Sequence, residues 1–195
     1  MADTMIIEYK RTLSDVLCED IIDKFEENFA ENSVVGNSAE LFIIPKNCVE
    51  WRKIETVLYK ELLIKINEYK NNIINGNLCD ETNELLLLLN KTLFIKDFII
   101  RKYLAGGGGG DGASAAFKLS RTNNRYNVLT FVYFLNDCDG GGGELVFEND
   151  IKIAAKVGKL LIFPENREHH NKLYVPADGF QYIISGQLCY ENIIL

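Results

Sequence analysis

Apolar residues recur about every fourth position in the first half of the chain, with polar and charged residues between them. This spacing places the apolar side chains on one face of an α-helix. It predicts a helix over 12–29, with Ser14 and Asp15 as capping candidates, a second over about 48–72 and a third within DETNELLLLLNK. The first stripe is Leu13, Leu17, Ile21, Phe25 and Phe29, and the second is Trp51, Ile54, Leu58, Leu62, Ile66 and Tyr69. Both stripes are typical of helices that pack against a sheet.

After Thr92 the pattern changes to short runs rich in β-branched and aromatic residues, separated by clusters of Gly, Asn and Asp. The runs are LFIKDFIIRKYL, NVLTFVYFLND, ELVFEND, IKIAAKVGKLLIF and LYVPADGFQYIISGQLCYENII. Because no helical pattern separates them, they predict an antiparallel sandwich or closed jelly roll and not a parallel sheet. The expected fold class is α+β in one domain, with a helical supporting region at 1–91 and a β region at 92–195. FLNDCDGGGGELVF predicts a tight reversal between two strands, with glycines at positive φ.

Composition and charge limit the classes of partner and the location that we expect for the protein. The 195 residues, 47% hydrophobic and 25% charged, suit a soluble domain with a real core. The formal net charge of -7 argues against nucleic acid or an anionic membrane as a partner, because both favour clustered Lys and Arg. Without a run of ~20 apolar residues or a secretory signal pattern, the expected location is cytoplasmic. The five cysteines form no C-x-x-C pair and are expected to be ordinary buried thiols.

His169 and His170 are the only histidines in the chain, and they follow the apolar strand pattern GKLLIFP. A histidine at the rim of a β-barrel can serve as a metal ligand, so the pair is a candidate for metal binding. Neighbouring residues of a strand point to opposite faces, so both imidazoles could bind one ion only from an irregular loop. A phosphate-binding loop is a weaker alternative: Gly107, Gly109 and Gly112 satisfy G-x-G-x-x-G, but an antiparallel β pattern follows them.

The order of the later segments is similar to that of one protein family. FIIRKY is followed by RYNVLTFVYFLND, GGELVF, IKIAAKVGKLLIFP, a histidine, Val175, Gly179 and YII. This series covers roughly residues 94–190 and resembles the 2-oxoglutarate- and Fe(II)-dependent dioxygenases of the prolyl 4-hydroxylase-like branch. The resemblance implies a double-stranded β-helix, or jelly-roll, core with N-terminal supporting helices.

The resemblance also implies a chemistry. Members of the family hold iron with a His-x-Asp pair on one strand and a distal histidine on another, which leaves positions for 2-oxoglutarate and dioxygen. A Lys or Arg on a late strand compensates the far carboxylate of 2-oxoglutarate. By resemblance the protein is therefore an oxygenase that hydroxylates a peptidyl residue, typically proline, in an extended peptide or protein substrate. Its implied cofactors are Fe(II), 2-oxoglutarate and ascorbate.

The His-x-Asp pair implied by the resemblance is missing from the sequence. It falls at Ala113 and Ala115 or, in a second register, at Ser114 and Ala116. None of these side chains binds a transition metal at useful strength. Asp111 is the only metal-competent side chain of the AGGGGGDGASAA stretch, and the spacing places it early.

The distal histidine and the co-substrate pocket are matched in part. His169 or His170 falls at the position of the distal histidine. The carboxylate-binding cation falls at Gln181, with Ser185 as the alternative further along the strand, and neither residue is charged. Phe134 stands where many relatives have a tyrosine that touches the co-substrate.

Tyr103 and Gln181 are therefore the expected lining of the co-substrate pocket, and Arg101 and Arg125 are reserve candidates for contact with its anion. Two functional hypotheses follow. Either the glycine-rich stretch departs from the native side chains of a true dioxygenase, or the protein is a non-catalytic relative that keeps the fold as a peptide-binding module. Each glycine of the run would cost about 0.5 to 1 kcal/mol relative to Ala, which favours the first hypothesis.

Overall fold

The computed structural model describes residues 5–32, 34–35, 40–76, 80–105, 125–138, 141–147, 150–164, 171–174 and 176–191. The predicted helices are present as α1 (Asp15–Asn32), α2 (Arg52–Asn75) and α3 (Asp80–Leu89). The Ser14 hydroxyl oxygen accepts a hydrogen bond from the Leu17 backbone N–H at 3.2 Å, which confirms Ser14 as the cap of α1. Within these ranges, no helix combines the length and the apolar character needed to cross a bilayer.

The described side chains of both apolar stripes face inward, as predicted, and the side chain of Phe29 lies outside the described ones. On α1 the side chains of Ile21 and Phe25 are fully buried. On α2 the buried side chains are Ile54, Leu58, Leu62, Tyr69 and Ile73. The Tyr69 hydroxyl donates a hydrogen bond to the Met5 carbonyl oxygen at 2.8 Å, so α2 also fixes the segment that leads into the first strand.

Every predicted β run contains at least one strand. In chain order the strands are β1 (Ile7–Tyr9), β2 (Val34–Val35), β3 (Glu40–Ile43), β4 (Leu93–Ile95), β5 (Ile99–Leu104), β6 (Arg125–Phe134), β7 (Leu145–Phe147), β8 (Lys152–Ile153), β9 (Leu160–Pro164), β10 (Asn171–Leu173) and β11 (Phe180–Glu191). All the pairings between them are antiparallel, as the lack of intervening helices predicted.

The described strands form two sheets. The large sheet has the order β1-β9-β6-β11-β5-β3-β2, with β4 also paired to β11, and the small sheet has the order β10-β7-β8. The prediction of a tight reversal at FLNDCDGGGGELVF is wrong, because β6 lies in the large sheet and β7 in the small one. The glycines do supply positive φ, with values of 87°, 78° and 73° at Gly141, Gly142 and Gly143. The segment is therefore a crossing between sheets and not a hairpin.

The first part of the chain contributes strands as well as helices. Ile7 of β1 pairs with Ile162 of β9, and Phe42 of β3 pairs with Ile100 of β5. The sequence did not predict these short strands, which add to the two edges of the large sheet. The supporting region at 1–91 is therefore not purely helical, and its boundary with the β region at 92 stays a prediction.

Two apolar cores lie on opposite faces of the large sheet. The helix-side core joins the helices to the sheet and includes Ile21, Phe25, Trp51, Leu58, Leu62, Ile100, Phe131, Tyr133, Ile162, Tyr182 and Ile184. The inter-sheet core joins the large sheet to the small one and consists of Tyr103, Val132, Phe134, Leu145, Phe147, Ile153, Ala155, Leu161, Phe163, Leu173 and Ile183. Most successive residues of β5, β6 and β11 alternate between the two faces, as the pleat of a strand requires, but Val128 and Leu129 of β6 both belong to the helix-side core.

The cysteines in the described part of the chain are free thiols. Cys18 and Cys189 are buried, as expected from the sequence. Cys48 and Cys138 are only half-buried, so for these two the prediction of a buried thiol is wrong.

Gly186 lies within β11, opposite Phe131 of β6. A Cβ at Gly186 would overlap the Asp97 carbonyl oxygen and the Phe131 ring. Gly186→Ala should therefore lower the free energy of unfolding by about 1 to 3 kcal/mol, measured by urea titration. Gly76→Ala is the matched control, because a Cβ there would lie 3.4 Å from its nearest neighbour, the Asn72 carbonyl oxygen. Equal stability of Gly186→Ala and the wild type would contradict this packing.

Candidate functional site

A polar group of side chains lies on the inward face of the pair formed by β5 and β11. The register places Tyr103 opposite Gln181, Arg101 opposite Ile183, and Ile99 opposite Ser185. Tyr103 and Ile183 belong to the inter-sheet core. Because alternate residues of a strand share a face, Arg101 and Ser185 face the same space between the sheets.

Arg101 is held in place by two neighbours on this face. Its Nε–H donates a hydrogen bond to the Ser185 hydroxyl oxygen at 2.9 Å. The guanidinium also donates to the Tyr103 hydroxyl oxygen. A half-buried positive charge is thereby fixed beside the inter-sheet core, at the junction of two neighbouring strands.

The Tyr103 phenol stays neutral in this environment. Burial is the main cause that raises its pKa from 10.0 to about 12, and the positive charge of Arg101 opposes the shift. At neutral pH the hydroxyl therefore keeps its proton and can donate a hydrogen bond to an anion. Tyr103 lies where the sequence predicted a lining residue of the co-substrate pocket, and its contact with a ligand stays a prediction.

Gln181 is fully buried and only partly satisfied. Its Nε2 donates a hydrogen bond to the Gly143 carbonyl oxygen at 2.8 Å. Its Oε1 has no hydrogen-bond partner among the described residues. Because buried polar atoms are seldom left unpaired, Oε1 marks a place where a ligand or a water molecule can donate. The close approach of the Gln181 side chain to the Gly143 carbonyl requires glycine at 143, since a Cβ there would lie 2.5 Å from Cys138 Sγ.

Apolar side chains of β6 border the polar group. Val132 lies opposite Ser185, and Phe134 lies opposite Ile183. Both β6 side chains are fully buried. Since Phe134 carries no hydroxyl, this wall contributes packing.

The FLND motif has a structural role beside this site. Asn136 Nδ2 donates to the Phe180 carbonyl oxygen at 2.8 Å, and Asn136 Oδ1 accepts from the backbone N–H two residues further along β11, also at 2.8 Å. The Asp137 carboxylate accepts hydrogen bonds from Lys156 Nζ and the Val157 backbone N–H at 2.9 and 2.7 Å. These bonds, that of Lys156 first, lower the pKa of the Asp137 carboxyl. The motif thus ties β11 and the turn before β9 to the end of β6.

The predicted metal ligands lie outside the described residues. Asp111 falls in the sequence between β5 and β6, and His169 and His170 fall between β9 and β10. Arg125 is described only as the first residue of β6, so its predicted anion contact stays a prediction. Among the described residues, no three His, Cys, Asp or Glu side chains come together as a metal site.

A groove between α1 and α2 is a second candidate site. Its volume is about 400 Å³, and charged side chains of both signs line it, among them Asp20, Asp23, Lys24, Glu27 and Lys53. This mixture indicates no single ligand chemistry. The polar group between β5 and β11 combines a positive charge, a neutral phenol and a buried acceptor, and it is the stronger candidate.

The sequence predicted Arg101, Ser185 and Gln181 as separate candidates, but not the hydrogen bonds that each of them forms. Gln181, the first position expected for anion contact, uses its amide N–H on Gly143. Ser185 accepts from Arg101, although the two residues are 84 positions apart in the chain. Arg101 and Tyr103 are two positions apart, so the sequence predicts that they share one face of a strand. Their partners on β11 depend on the strand register, which the sequence does not show.

Comparisons with known proteins identify the fold. No protein-family model matches the chain, and no curated protein matches it in sequence. Among solved structures, it is similar to the viral collagen prolyl hydroxylase of Paramecium bursaria Chlorella virus-1 in its 2OG complex, with 16% identity over 96% of this chain and 97% of that chain and a TM-score of 0.67. It is also similar to a Trichoplax adhaerens prolyl hydroxylase in complex with a hypoxia inducible factor peptide fragment, with 17% identity over 96% and 84% of the two chains and a TM-score of 0.61. A Pseudomonas putida prolyl-4-hydroxylase matches with 13% identity over 96% and 94% and a TM-score of 0.56.

These likenesses show that the chain has the prolyl 4-hydroxylase-like fold of the 2-oxoglutarate dioxygenases, as the resemblance in sequence predicted. At such low sequence identity they establish the fold alone.

The raised pKa of Tyr103 predicts a pH dependence of stability. Between pH 10 and about 12 the unfolded phenol loses its proton while the folded one keeps it, so the stability that Tyr103 contributes is present below pH 10 and is lost as pH rises through this window. Tyr103→Phe should reduce the fall in unfolding free energy between pH 9 and 11 by about 1.4 kcal/mol in total, measured by urea titration at several pH values in this range. Phe134→Leu, a packing control, should lower stability equally at each pH. Parallel profiles of Tyr103→Phe and the wild type would contradict the burial of this phenol.

Proposed function

We propose that the protein is a 2-oxoglutarate-dependent oxygenase that hydroxylates a peptidyl residue, with proline as the preferred target. The observation that carries this proposal is the half-buried Arg101, fixed by Ser185 and Tyr103 inside a prolyl hydroxylase fold. A positive charge and a neutral phenol at one place suit a small dianion such as 2-oxoglutarate. The viral neighbour was solved as a 2OG complex, and the Trichoplax neighbour with a peptide, which supports both halves of the proposal.

We further propose that the two sheets form a double-stranded β-helix, or jelly roll. The large and small sheets are antiparallel, and an apolar core with side chains from both lies between them. The region at 1–91 supports this core with α1, α2 and α3 and belongs to the same domain as 92–195. In this arrangement the polar group of β5 and β11 faces the interior of the jelly roll, where the co-substrate binds.

Iron is the part of this function that the residues present do not fit. By resemblance the His-x-Asp pair falls at Ala113 and Ala115 or, in the second register, at Ser114 and Ala116, and none of these side chains binds a transition metal at useful strength. His169, His170 and Asp111 are the candidates that remain, and the spacing matches one histidine alone to a ligand position. We therefore derive no catalytic step through the metal, and assign to the chain's own residues the binding and orientation of the co-substrate.

The missing donors favour a second candidate function. A chain with the fold and the anion site, but without a complete metal site, can hold 2-oxoglutarate or an extended peptide without turnover. In that case the protein is a non-catalytic, peptide-binding relative of the dioxygenases. Its net charge of -7 supports a peptide and not a nucleic acid as the partner in either case.

Turnover distinguishes the two functions. With Fe(II), ascorbate, dioxygen and an extended proline-containing peptide, the oxygenase should convert 2-oxoglutarate to succinate and CO2, with one oxygen atom of O2 entering succinate and the other the peptide, measured by mass spectrometry. The His169→Ala, His170→Ala double variant should lose this turnover, because the chain contains no other imidazole. Binding of 2-oxoglutarate and peptide without succinate would favour the non-catalytic function. Turnover that survives in the double variant would contradict the assignment of the histidines.

A further inference from the structure

The groove between α1 and α2 lies between two exposed helix faces of opposite charge. Residues three or four positions apart share one face of a helix. On α1 such exposed residues form what we call the acidic stripe, which consists of Val16, Asp20, Asp23 and Glu27. On α2 they form the basic stripe, which consists of Lys53, Val57, Lys60 and Ile64. The three carboxylates of the acidic stripe and the first two residues of the basic stripe line the groove.

We propose that this surface binds a second copy of the chain, so that the acidic stripe of each copy lies on the basic stripe of the other. In a dimer with twofold symmetry every contact between two residues occurs twice, so the surface must complement itself. The helices α1 and α2 line opposite sides of the groove. A twofold axis along the groove therefore places α1 of one copy over α2 of its partner, whereas an axis across the groove would set carboxylates against carboxylates. This dimer does not involve the polar group between β5 and β11, so it is independent of the proposed function.

The charges of the two stripes are available to a partner. Within the described part of the chain, they form no ion pair with each other or with a third residue. Glu26, another exposed carboxylate of α1, is different, because it forms an ion pair with Lys102 at 2.9 Å and accepts a hydrogen bond from the Tyr182 hydroxyl at 2.8 Å. Charges of opposite sign on two neighbouring helices give the electrostatic complementarity that fixes the orientation of a partner.

Two other charged residues of the groove have the opposite sign from the stripe beside them, and both have contacts within their own chain. Lys24 of α1 places its Nζ over the Trp51 ring, 5.4 Å from the ring centroid. Glu50, which precedes α2, accepts a hydrogen bond from the Cys48 thiol at 2.6 Å. These contacts hold Lys24 and Glu50 to the chain itself, so the stripes keep their separate charges.

Each stripe also exposes apolar side chains in line with its charges. Val16 is 66% exposed, Val57 38% and Ile64 41%. Leu17 and Ile54 line the groove between the stripes. A single exposed apolar residue is ordinary on a protein surface, but these lie together on the two helices whose charges complement each other. In the dimer, burial of the apolar side chains supplies attraction, and the charges set the orientation.

The size of this surface predicts a weak dimer. The α1 helix has 18 residues and α2 has 24. At 1.5 Å per residue and about 10 Å of width for each helix, the pair offers a face of about 500 Å² per copy. The total of about 1,000 Å² is at the low end for specific interfaces. The net charge of -7 on each copy adds repulsion at long range, so we expect a dissociation constant on the order of 10 to 100 µM.

The test measures self-association of the full chain by analytical ultracentrifugation, over about 1 to 500 µM. One variant reverses the charges of α1, as Asp20→Lys with Asp23→Lys, and another reverses those of α2, as Lys53→Glu with Lys60→Glu. Each variant alone sets like charges against each other, so its dissociation constant should rise by about 10-fold or more. An equimolar mixture of the two variants should dimerise about as tightly as the wild type, because reversed α1 then meets reversed α2.

Two further variants control for net charge. A chain that carries all four substitutions keeps the net charge of -7, and it should dimerise with itself as the wild type does. Lys152→Glu changes the net charge as each reversed lysine does, but it is exposed on β8 of the small sheet, across the large sheet from the helices. This variant should keep the affinity of the wild type. Circular dichroism checks that each variant folds, and recovery in the mixture requires that both reversed variants are folded.

The outcomes decide both the occupant and the geometry. A wild type that stays monomeric at the highest concentration would overturn the second copy as the occupant of this surface. A dimer that neither pair of reversals weakens would place the interface elsewhere and overturn the proposal as well. If the mixture and the fourfold variant stay monomeric while each reversed variant is folded, the acidic stripe does not lie on the basic stripe. Weakening in each variant and recovery in both combinations is the result that we expect.

Discussion

The pairing of β11 with β5 on one side and β6 on the other is the constraint on which the rest of the structure depends. Tyr182 and Ile184 of β11 face the helix-side core, while Ile183 faces the inter-sheet core, so this one strand joins both apolar layers. A shift of one residue in register would exchange the two faces. It would turn Gln181 and Ser185 toward the helices and separate Arg101 from its hydrogen-bond partner. Fold and candidate site are therefore specified by the same backbone hydrogen bonds.

A charged group beside an apolar core is a cost to stability unless something compensates it. Removal of the Arg101 guanidinium from water costs free energy, and its hydrogen bond to the Ser185 hydroxyl is one of the contacts that offset this cost. Lys102 is different, because the carboxylates of Glu26 and Glu40 neutralise it and it stacks over the Phe180 ring at 4.6 Å. The ion pairs of Lys102 connect α1, β3 and β5, so this lysine has a structural role.

The sequence predicts the elements of this protein better than their arrangement. The helices were predictable because the four-residue spacing from Leu13 to Phe29 is a local signal, and the tyrosine and arginine of FIIRKY share a face by strand parity alone. Strand β1 is only three residues long, too short for an alternating pattern, and its pairing with β9 joins distant parts of the chain. The segment between β6 and β7 resembles a hairpin in sequence, because glycines at positive φ occur both in hairpin turns and in crossings between sheets. Only the strand pairings distinguish the two structures. The contact of Arg101 with Ser185 depends in the same way on a register that local sequence does not contain.

The candidate site has one half among the described residues and one half outside them. The polar group of Arg101, Tyr103 and Ser185 lies on paired strands, where backbone hydrogen bonds fix the register of these side chains. The candidate metal ligands Asp111, His169 and His170 stand in the segments that connect strands in the sequence. The proposed binding of a 2-oxo diacid and its proposed turnover therefore involve different residues, so either property can be tested without the other.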